Sequence, residues 1–338
     1  MNIDNRIGRL PSPHSTSIVA LSGGVGGAKL ILGLTKIIDP SVLTIIVNTG
    51  DDFDHLGLRV CPDIDTLLYT LSGLNNPDQG WGRADETNQF MNVARVLGEE
   101  TWFFLGDKDL AMHIARTRRL AVGESLTEIT LDLSDRLGIA SRILPMCDDI
   151  VSTRVETEYG AQPFQHYFVR DRCEPTVRGF QFDGAETAAA SPEILNTLSG
   201  DRLRAVLVAP SNPFISIDPI LAVPQIRSAL CASRAPVVAV SPVVGGDSIK
   251  GPTAKMMREL GIDVSPVEVA RRYADFLDGF VVDAADTGVA SQIESLGIAV
   301  LTTNTVMNSL EDRVALARVV LEFSDELSCR VGNNRLTT

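Results

Sequence analysis

Short, uniformly apolar runs recur along the chain, and each ends in glycine, proline or a small polar residue. The runs are Ser17 to Leu21, Leu43 to Asn48, Arg204 to Ala209, Pro236 to Val240, Gly279 to Asp283 and Ile298 to Thr302. Strands that are apolar at every position are typical of parallel sheets covered on both faces. Helix-like segments separate several of them: Ala28 to Ile38, Ile220 to Ser233, Gly251 to Leu260 and Val267 to Phe276. The pattern predicts an α/β protein with a Rossmann-like, doubly wound, mainly parallel sheet.

The alternation stops between about Asn75 and Ala190. Helices are predicted near 86–97, 110–120 and 125–137, followed by two short antiparallel strands, F-Q-H-Y-F-V-R (164–170) and V-R-G-F-Q-F-D (177–183). We interpret residues 76–189 as an inserted mixed α+β cap or acceptor-binding region. Residues 17–75 and 190–326 then form the Rossmann-like nucleotide-binding core, and we expect a flexible tail at 1–16 and a second tail at 327–338.

Composition narrows the class of protein. The 338 residues carry a net charge of −13, so general attraction to nucleic acid or to an anionic membrane is not expected. The five cysteines form no C-x-x-C pair, which favours free thiols and a cytoplasmic location. No apolar stretch approaches the ~20 residues that span a bilayer, and the first sixteen residues contain no signal-peptide core.

The first predicted strand ends in S-G-G-V-G-G-A-K, which holds Gly23, Gly24, Gly26, Gly27 and Lys29. Glycines between a strand and a helix let backbone N–H groups approach an anion at the positive end of the helix, so phosphate binding is the favoured interpretation. A tight turn that binds nothing is the alternative. The loop fits neither the dinucleotide fingerprint nor the P-loop, because Lys29 replaces the final glycine of the first and is flanked by Ala28 and Leu30 in the second.

The second strand runs into V-N-T-G-D-D-F-D-H-L-G-L-R-V-C-P-D-I-D-T. This stretch holds six acidic or imidazole side chains: Asp51, Asp52, Asp54, His55, Asp63 and Asp65. Like charges at this density need a cation, a proton or a donor-rich ligand, and a divalent metal that also touches substrate phosphate is the simplest partner. Two alternatives stay open: Asp63 suits the first turn of a helix, and Asp51 is placed to bind a ribose hydroxyl.

Two later strands end in loops that suit a ligand. A-P-S-N-P presents Ser211 and Asn212 on a turn held by two prolines, although an Asx-type turn would use the same groups on its own backbone. S-P-V-V-G-G-D-S-I-K-G-P-T-A-K brings a second glycine-rich loop, with Gly245, Gly246 and Lys250, before a helix. Two such loops on one sheet suggest a substrate with more than one phosphate.

The insertion adds further candidates. Asp109, His113 and Arg116 are spaced to share one helical face, where a lone histidine is more often structural than catalytic. Trp81 and Arg83 offer a flat ring and a planar cation that suit an aromatic ligand, and surface packing is the alternative.

Taken in order, S-G-G-V-G-G-A-K, V-N-T-G-D-D, R-V-C-P-D-I-D-T-L-L-Y-T-L, G-W-G-R-A-D-E-T, L-G-D-K-D-L-A-M-H, P-M-C-D-D, A-P-S-N-P-F-I-S-I-D-P-I-L and S-P-V-V-G-G resemble the 2-phospho-L-lactate transferase (CofD-like) family from about Ile18 to Thr305. The resemblance implies a Mg2+-dependent enzyme of coenzyme F-420 biosynthesis. Such enzymes move a phosphorylated three-carbon acid, which would be 2-phospho-L-lactate, phosphoenolpyruvate or 3-phosphoglycerate, from a guanosine diphospho (GDP-type) donor to the ribityl hydroxyl of the deazaflavin Fo, and they release GMP.

The resemblance also implies roles for particular residues. Asp51 and Asp65 would be catalytic and would bind the metal together with Asp63. The residues expected to hold the donor are Gly23, Gly24, Gly26, Gly27, Lys29, Ser211, Asn212, Gly245, Gly246 and Lys250. Those expected to contact substrate are Asp63, Trp81, Arg83, Lys108 and His113. Lys108 stands where many relatives have arginine, so it keeps the charge and loses the planar fork.

Three further expectations complete the sequence-based picture. A homodimer is the default assembly for such an enzyme. A nucleotide-sugar-binding regulator of the gluconeogenesis-factor type is the alternative function within the same fold. An NAD-dependent oxidoreductase is the alternative that follows from an acid placed after a glycine loop.

Overall fold

The computed structural model describes residues 17–77 and 79–335, so the predicted tail at 1–16 lies outside the described residues. The strands are β1 (Ser17–Ser22), β2 (Leu43–Val47), β3 (Phe53–His55), β4 (Leu58–Val60), β5 (Arg142–Pro145), β6 (Ser152–Thr157), β7 (Gly160–Pro163), β8 (Val177–Asp183), β9 (Leu203–Val208), β10 (Val237–Val240), β11 (Val243–Val244), β12 (Asp247–Ser248), β13 (Gly279–Asp283) and β14 (Ala299–Thr303).

The helices follow the same chain order. They are α1 (Gly24–Leu34), α2 (Pro62–Ser72), α3 (Gln89–Val96), α4 (Asp109–Ala121), α5 (Leu126–Arg136), α6 (Pro192–Ser199), α7 (Asp218–Ala222), α8 (Pro224–Cys231), α9 (Thr253–Glu259), α10 (Pro266–Arg272), α11 (Ala290–Glu294) and α12 (Leu310–Arg335). Two 3-10 turns, Pro40–Val42 and Ala284–Val289, and two π-helical turns, His166–Arg170 and Pro213–Ile217, lie between them.

Seven parallel strands form the main sheet in the order β5-β2-β1-β9-β10-β13-β14. The chain starts near the middle, moves outward through β2 and β5, and then returns to build the other half from β9. This is the doubly wound order, and it confirms the predicted Rossmann-like α/β fold. The direction of winding changes between β1 and β9, where the loops after these two strands diverge and where open α/β sheets bind ligands.

Both faces of the sheet are covered, which explains why the predicted strands are apolar throughout. In β1, Ile18 and Ala20 pack with α1, α2 and α12, whereas Val19 and Leu21 point into the core on the opposite face. All six predicted strands are present, with ends that differ by one residue or less at most positions. α1 begins four residues earlier than predicted, because the glycine loop itself forms the first turn of the helix.

β5 is missing from the sequence-based prediction. Its four residues, R-I-L-P, lie inside the segment interpreted as an insertion, yet they pair with β2 at the edge of the main sheet. The prediction that residues 76–189 lie outside the core is therefore wrong for Arg142–Pro145. A strand this short, with a charge at one end and proline at the other, carries too little periodicity to be recognised.

The rest of the insertion contains α3, α4 and α5 and an antiparallel sheet with the order β7-β6-β8. The predicted strand at 177–183 is confirmed as β8. The predicted strand at 164–170 is wrong, because His166–Arg170 forms a π-helical turn. Phe164 and Tyr167, three positions apart, are both buried, which is a helical spacing and not the alternation of a strand.

The C-terminal helix α12 lies across α1 and the sheet. The predicted tail from residue 327 is wrong over 327–335, since α12 continues to Arg335. Leu327 is fully buried, and its Cδ1 lies 2.7 Å from the position that a Cβ on Gly279 of β13 would take. No single helix in the described part is long and apolar enough to cross a membrane, and only the 90° bent pair Pro213–Ala222 and Pro224–Cys231 passes that test jointly, by length and composition alone.

Replacing Leu327 tests whether the end of α12 belongs to the core. We expect Leu327→Ala to lower the free energy of unfolding by about 3 kcal/mol, because it leaves a cavity against β13. Urea unfolding followed by circular dichroism measures the change, with Glu326→Ala as the exposed control one residue earlier. Equal stability of the two variants would show that the end of α12 does not pack on the sheet.

Candidate functional site

The loops after β1 and β9 meet where the winding of the sheet reverses. Ser211 joins them: its hydroxyl donates to the carbonyl of Gly23 at 2.7 Å and accepts from the Gly23 N–H at 3.2 Å. Gly26 lies so close to the carbonyl oxygen of Pro210 that a Cβ there has no room, and Gly27 meets the Ser22 hydroxyl in the same way. These glycines serve close packing of two loops, as the tight-turn alternative expects.

A carboxylate accepts a hydrogen bond from the first backbone N–H of α1. Gly24 has a φ of +66°, and its N–H donates to Oδ1 of Asp63 at 2.6 Å. A Cβ on Gly23 would lie 2.6 Å from the other Asp63 oxygen, so only glycine fits there. Asp63 stands in the first turn of α2 but caps α1 instead. The N-terminus of α1 therefore holds an anion that is a side chain of the protein itself, and phosphate binding at this loop stays a prediction.

Asn48, at the end of β2, connects two of the predicted acids. Its amide nitrogen lies 2.9 Å from Oδ2 of Asp63, 3.2 Å from Oδ1 of Asp51 and 3.2 Å from the carbonyl of Ile215. Its carbonyl oxygen accepts from the Gly50 N–H at 2.8 Å, which fixes the amide orientation. We call Asp51 and Asp63 the acidic pair. Asn48 was not among the predicted residues, although it lies in the V-N-T-G-D-D motif.

Burial sets the electrostatics of the acidic pair. Asp51 and Asp63 are 7% and 6% exposed. Burial, with the neighbouring charges of Asp63 and Asp52, raises the pKa of Asp51 well above its usual range. Burial likewise raises the pKa of Asp63 to about 6, although hydrogen bonds from Asn48 and Gly24 oppose the shift. Near neutral pH the pair therefore needs a proton or a cation.

Asp65, predicted to complete a three-carboxylate metal site, is committed elsewhere. Its two oxygens pair with the guanidinium of Arg116, Oδ1 with Nη2 and Oδ2 with Nη1 at 3.1 Å, and Arg116 is 0% exposed. Within 17–77 and 79–335, no group of three or more His, Cys, Asp or Glu side chains has the arrangement to hold a metal ion. The structure thus does not assemble the predicted set of three.

The acidic pair, Asp51 and Asp63, still suits Mg2+ without Asp65. This ion binds hard oxygen ligands and commonly takes one or two carboxylates, with water and substrate phosphates completing its shell. Asp51 and Asp63 supply such oxygens, and because burial raises the pKa of both carboxyls, a nearby cation would stabilise their charged forms. Asp54 belongs to the same acidic stretch but lies outside this site, since its side chain is 73% exposed and pairs with Arg59 at 3.3 Å.

Arg116 is the centre of a buried network between α2 and α4. The predicted common face of Asp109, His113 and Arg116 is confirmed: His113 Nε2 lies 3.1 Å from Asp109 and His113 Nδ1 lies 3.7 Å from Asp65. Tyr69 donates a hydrogen bond to Asp109. His113 is 1% exposed, so the structural alternative applies and the predicted substrate contact does not.

Other residues that were predicted to hold the guanosine diphospho donor instead shape turns of the protein backbone. The Asn212 carbonyl oxygen accepts from the N–H of Phe214 at 2.9 Å, which is the Asx-type turn considered as the alternative. Gly245 and Gly246, with φ of +60° and +77°, form the two-residue turn of the β11–β12 hairpin. The Gly245 N–H donates to Asp286 at 2.9 Å.

The predicted lysines lie near one another. Lys29 donates to the carbonyl of Met307 at 2.8 Å, and burial, followed by the charges of Lys250 and Arg313, lowers its pKa. Lys250 Nζ is 3.8 Å from the position that a Cβ on Gly80 would take. Arg313, on α12, was not predicted, because no local motif marks it. We call Lys29, Lys250 and Arg313 the basic cluster.

The last predicted contacts lie at the surface of the insertion. Trp81 is 52% exposed beside Gly80, and Arg83 forms a bridge with Asn75 that closes this loop. The Lys108 N–H donates to Glu86 at 2.8 Å, and the Lys108 side chain is exposed. Gly80, next to Trp81, thus lies near Lys250, whereas no contact joins Lys108 to the acidic pair among the described residues.

Comparison with known proteins shows the family to which the chain belongs. The family model described as 2-phospho-L-lactate transferase CofD matches residues 18–310. The chain belongs to the 2-phospho-L-lactate transferase family.

It is 39% identical over 316 residues to a phosphoenolpyruvate transferase of Streptomyces griseus, covering 92% of this chain and 99% of that protein. It is also 39% identical to a 2-phospho-L-lactate transferase of Methanosarcina mazei, covering 90% and 99%. Both relatives support a transferase.

A solved structure supports the fold. The crystal structure of a UPF0052-family protein from Bacillus halodurans matches with a TM-score of 0.60 over 91% of this chain and 99% of its own. Its sequence is 14% identical, so the likeness concerns the fold of this transferase and not its chemistry.

Asparagine substitutions distinguish the role of Asp51 from that of Asp65. We expect Asp65→Asn to lower the free energy of unfolding by about 3 kcal/mol, because Arg116 loses the charge of its buried partner. Asp51→Asn should instead raise stability by about 1 kcal/mol at pH 8 without divalent cations. The folded protein holds a proton on Asp51 to higher pH than the unfolded chain does, so this carboxyl reduces stability as pH rises, and the gain should vanish near pH 4.

Thermal and urea unfolding of both variants in EDTA at pH 4 and pH 8 measure these changes. The exposed Asp54→Asn, from the same acidic stretch, serves as the control. Similar destabilisation by Asp51→Asn and Asp65→Asn at pH 8 would contradict the division of roles.

Proposed function

We propose that this transferase moves a phosphorylated three-carbon acid from its guanosine diphospho donor to the ribityl hydroxyl of the deazaflavin Fo and releases GMP, in coenzyme F-420 biosynthesis. Family membership supports this proposal. The observation that supports it most directly is the buried acidic pair. Asn48 bonds both carboxylates beside the first turn of α1, where the direction of winding of the sheet changes. An uncompensated buried carboxylate pair at a ligand crevice is typical of a site that completes itself with a cation and an anionic substrate.

The transfer requires little covalent apparatus from the protein. The hydroxyl oxygen of Fo attacks the phosphorus that carries the three-carbon acid, and a new oxygen–phosphorus bond forms. The bond from that phosphorus to the bridging oxygen breaks, and GMP leaves with the electron pair. The hydroxyl proton passes to a carboxylate, for which we propose Asp51.

Charge neutralisation supplies the rest of the catalysis. Mg2+ held by the acidic pair would offset the charge of the diphosphate oxygens. The basic cluster offers three neighbouring cations, one of which is Lys29 in the helix that follows the glycine loop. Lys29 suits a neighbouring anion because it is partly desolvated and faces two other cations. Such preorganised charge is the main source of rate acceleration in phosphoryl transfer.

The identity of the acid stays open among three candidates. One similar relative is named a phosphoenolpyruvate transferase and another a 2-phospho-L-lactate transferase, and 3-phosphoglycerate remains the third candidate. The guanosine donor, the cytoplasmic location and the homodimer are parts of the proposal that rest on the family resemblance and on composition. Cys61, Cys147, Cys173 and Cys329 are free thiols, in keeping with a reducing compartment.

The alternatives predict different ligands. A regulator of the gluconeogenesis-factor type has no reason to bind a deazaflavin. A dehydrogenase would use Asp51 on a ribose hydroxyl, and it would bind a nicotinamide cofactor and release no GMP.

A reconstituted assay tests the proposal. The purified protein is incubated with Fo, Mg2+, GTP, a donor-forming guanylyltransferase and each candidate acid in turn, and the products are resolved by mass. We expect a Fo adduct and GMP with one acid above the others. Asp51→Asn should lower kcat by about 100-fold or more, because the proton acceptor is lost.

Asp54→Asn is the matched control and should keep wild-type activity, because this carboxylate faces solvent. Absence of a Fo adduct with all three acids would reject the proposed reaction. Full Mg2+-dependent transfer by folded Asp51→Asn would reject the role of that residue alone.

A further inference from the structure

We propose that Ser216 contacts the substrate: its hydroxyl donates a hydrogen bond to a diphosphate oxygen of the donor. This inference rests on the proposed function and gives a role to a residue that lies in the motif A-P-S-N-P-F-I-S-I-D-P-I-L but was not among the predicted site residues. Ser216 lies in the π-helical turn Pro213–Ile217, which follows the predicted A-P-S-N-P loop.

Ser216 borders the acidic pair directly. A Cβ on Gly23 would lie 2.6 Å from Oδ2 of Asp63, 2.7 Å from Cβ of Ser216 and 3.1 Å from the Ser216 hydroxyl. The carboxylate and the hydroxyl therefore both border the space that a side chain on Gly23 would fill. The hydroxyl is also the nearest side-chain atom to the Cβ position of Gly24, at 4.0 Å. Ser216 thus lies at the N-terminus of α1, beside the carboxylate proposed to bind Mg2+.

The Ser216 hydroxyl has no hydrogen-bond partner among the residues that the structure describes. The oxygen of this hydroxyl is not sealed from solvent, although the residue as a whole is only 7% exposed. Ser211 differs, because its hydroxyl hydrogen is committed to the Gly23 carbonyl at 2.7 Å. Of these two serines, Ser216 is the one with a donor free for a ligand.

The surrounding contacts hold Ser216 in place. Asn212 caps the start of its turn, and the Ile215 carbonyl accepts from Asn48 at 3.2 Å, which ties the turn to the acidic pair. At the other end, Asp218 pairs with Arg272, with Nε at 2.8 Å and 2.9 Å from the two oxygens. The Arg272 guanidinium also lies 4.8 Å from the centre of the Phe214 ring. A donor fixed before the ligand arrives loses little entropy on binding.

A phosphate oxygen is the acceptor that fits this position. The positive end of α1, the bound cation proposed at the acidic pair and the hydroxyl donor would converge on one anion. The N–H groups of Val25 and Gly26, next in the first turn of α1, have no side-chain acceptor within the described ranges. An uncharged hydroxyl beside Asp63 adds a donor without further charge.

Three variants test the role of Ser216. Ser216→Ala removes the hydroxyl, Ser216→Cys keeps the volume with a weak donor, and Ser199→Ala removes an exposed hydroxyl that bonds the Leu195 carbonyl in α6. GDP binding is measured by calorimetry with Mg2+, and transfer to Fo is measured with the complete system. We expect both Ser216 variants to lose about tenfold to 100-fold in GDP affinity and in kcat/KM, with thermal midpoints near that of the wild type. Ser199→Ala should leave both quantities unchanged.

The outcomes separate the two proposals. Wild-type GDP affinity and transfer in Ser216→Ala, with an active wild-type protein, would overturn the role of Ser216 alone. If Ser216→Ala does not fold, Ser216→Cys decides by the same measurements. Wild-type protein that neither binds GDP nor forms a Fo adduct would overturn the proposed function, and this inference with it.

Discussion

Two carboxylates share one amide group in the interior of this protein, and the architecture of the site depends on that arrangement. Asn48 donates toward both Asp51 and Asp63, while Asp63 also accepts from the first amide of α1. These bonds bring together the ends of β2, α2 and α1, and through Ile215 the turn after β9. Burial of two like charges opposes folding, so the arrangement is expected where a bound cation later compensates it.

The acidic stretch after β2 divides into groups with different functions. Asp63 and Asp65 are two residues apart in α2, and this spacing turns them to different sides of the helix. Asp63 faces the glycine loop, whereas Asp65 faces Arg116 and the network of His113, Asp109 and Tyr69. That network fixes α2 against α4 of the insertion. It thereby holds the first turn of α2, and the carboxylate of Asp63, at the crossover of the sheet.

The sequence predicted the sheet well, because a strand buried on both faces is apolar at every position and this pattern is local. It missed β5, whose four residues are too few to show a pattern. It predicted a site at the loops after β1, β2 and β9, and the structure brings these three loops together. It misjudged individual roles, because those depend on contacts between distant residues. Arg116 lies 51 positions from Asp65, and no spacing rule connects them.

The glycine loop illustrates the same limit. Its composition predicted an anion at the start of α1, and an anion is present, but it is the side chain of Asp63. The A-P-S-N-P turn predicted a serine facing the ligand. Ser211 instead bonds Gly23, and the π-helical turn that follows carries Ser216 to the crevice. Local sequence indicated which loops meet at the end of the sheet, whereas the contacts of each side chain depend on the fold.

The central claim is that the acidic pair is a cation site completed by the diphosphate. The most direct measurement is the thermal unfolding midpoint at pH 8 of the wild type and of Asp51→Asn, each with and without Mg2+ and GDP. The account predicts that Mg2+ with GDP raises the midpoint of the wild type by several degrees, whereas the variant gains little. An equal rise in both proteins would contradict it.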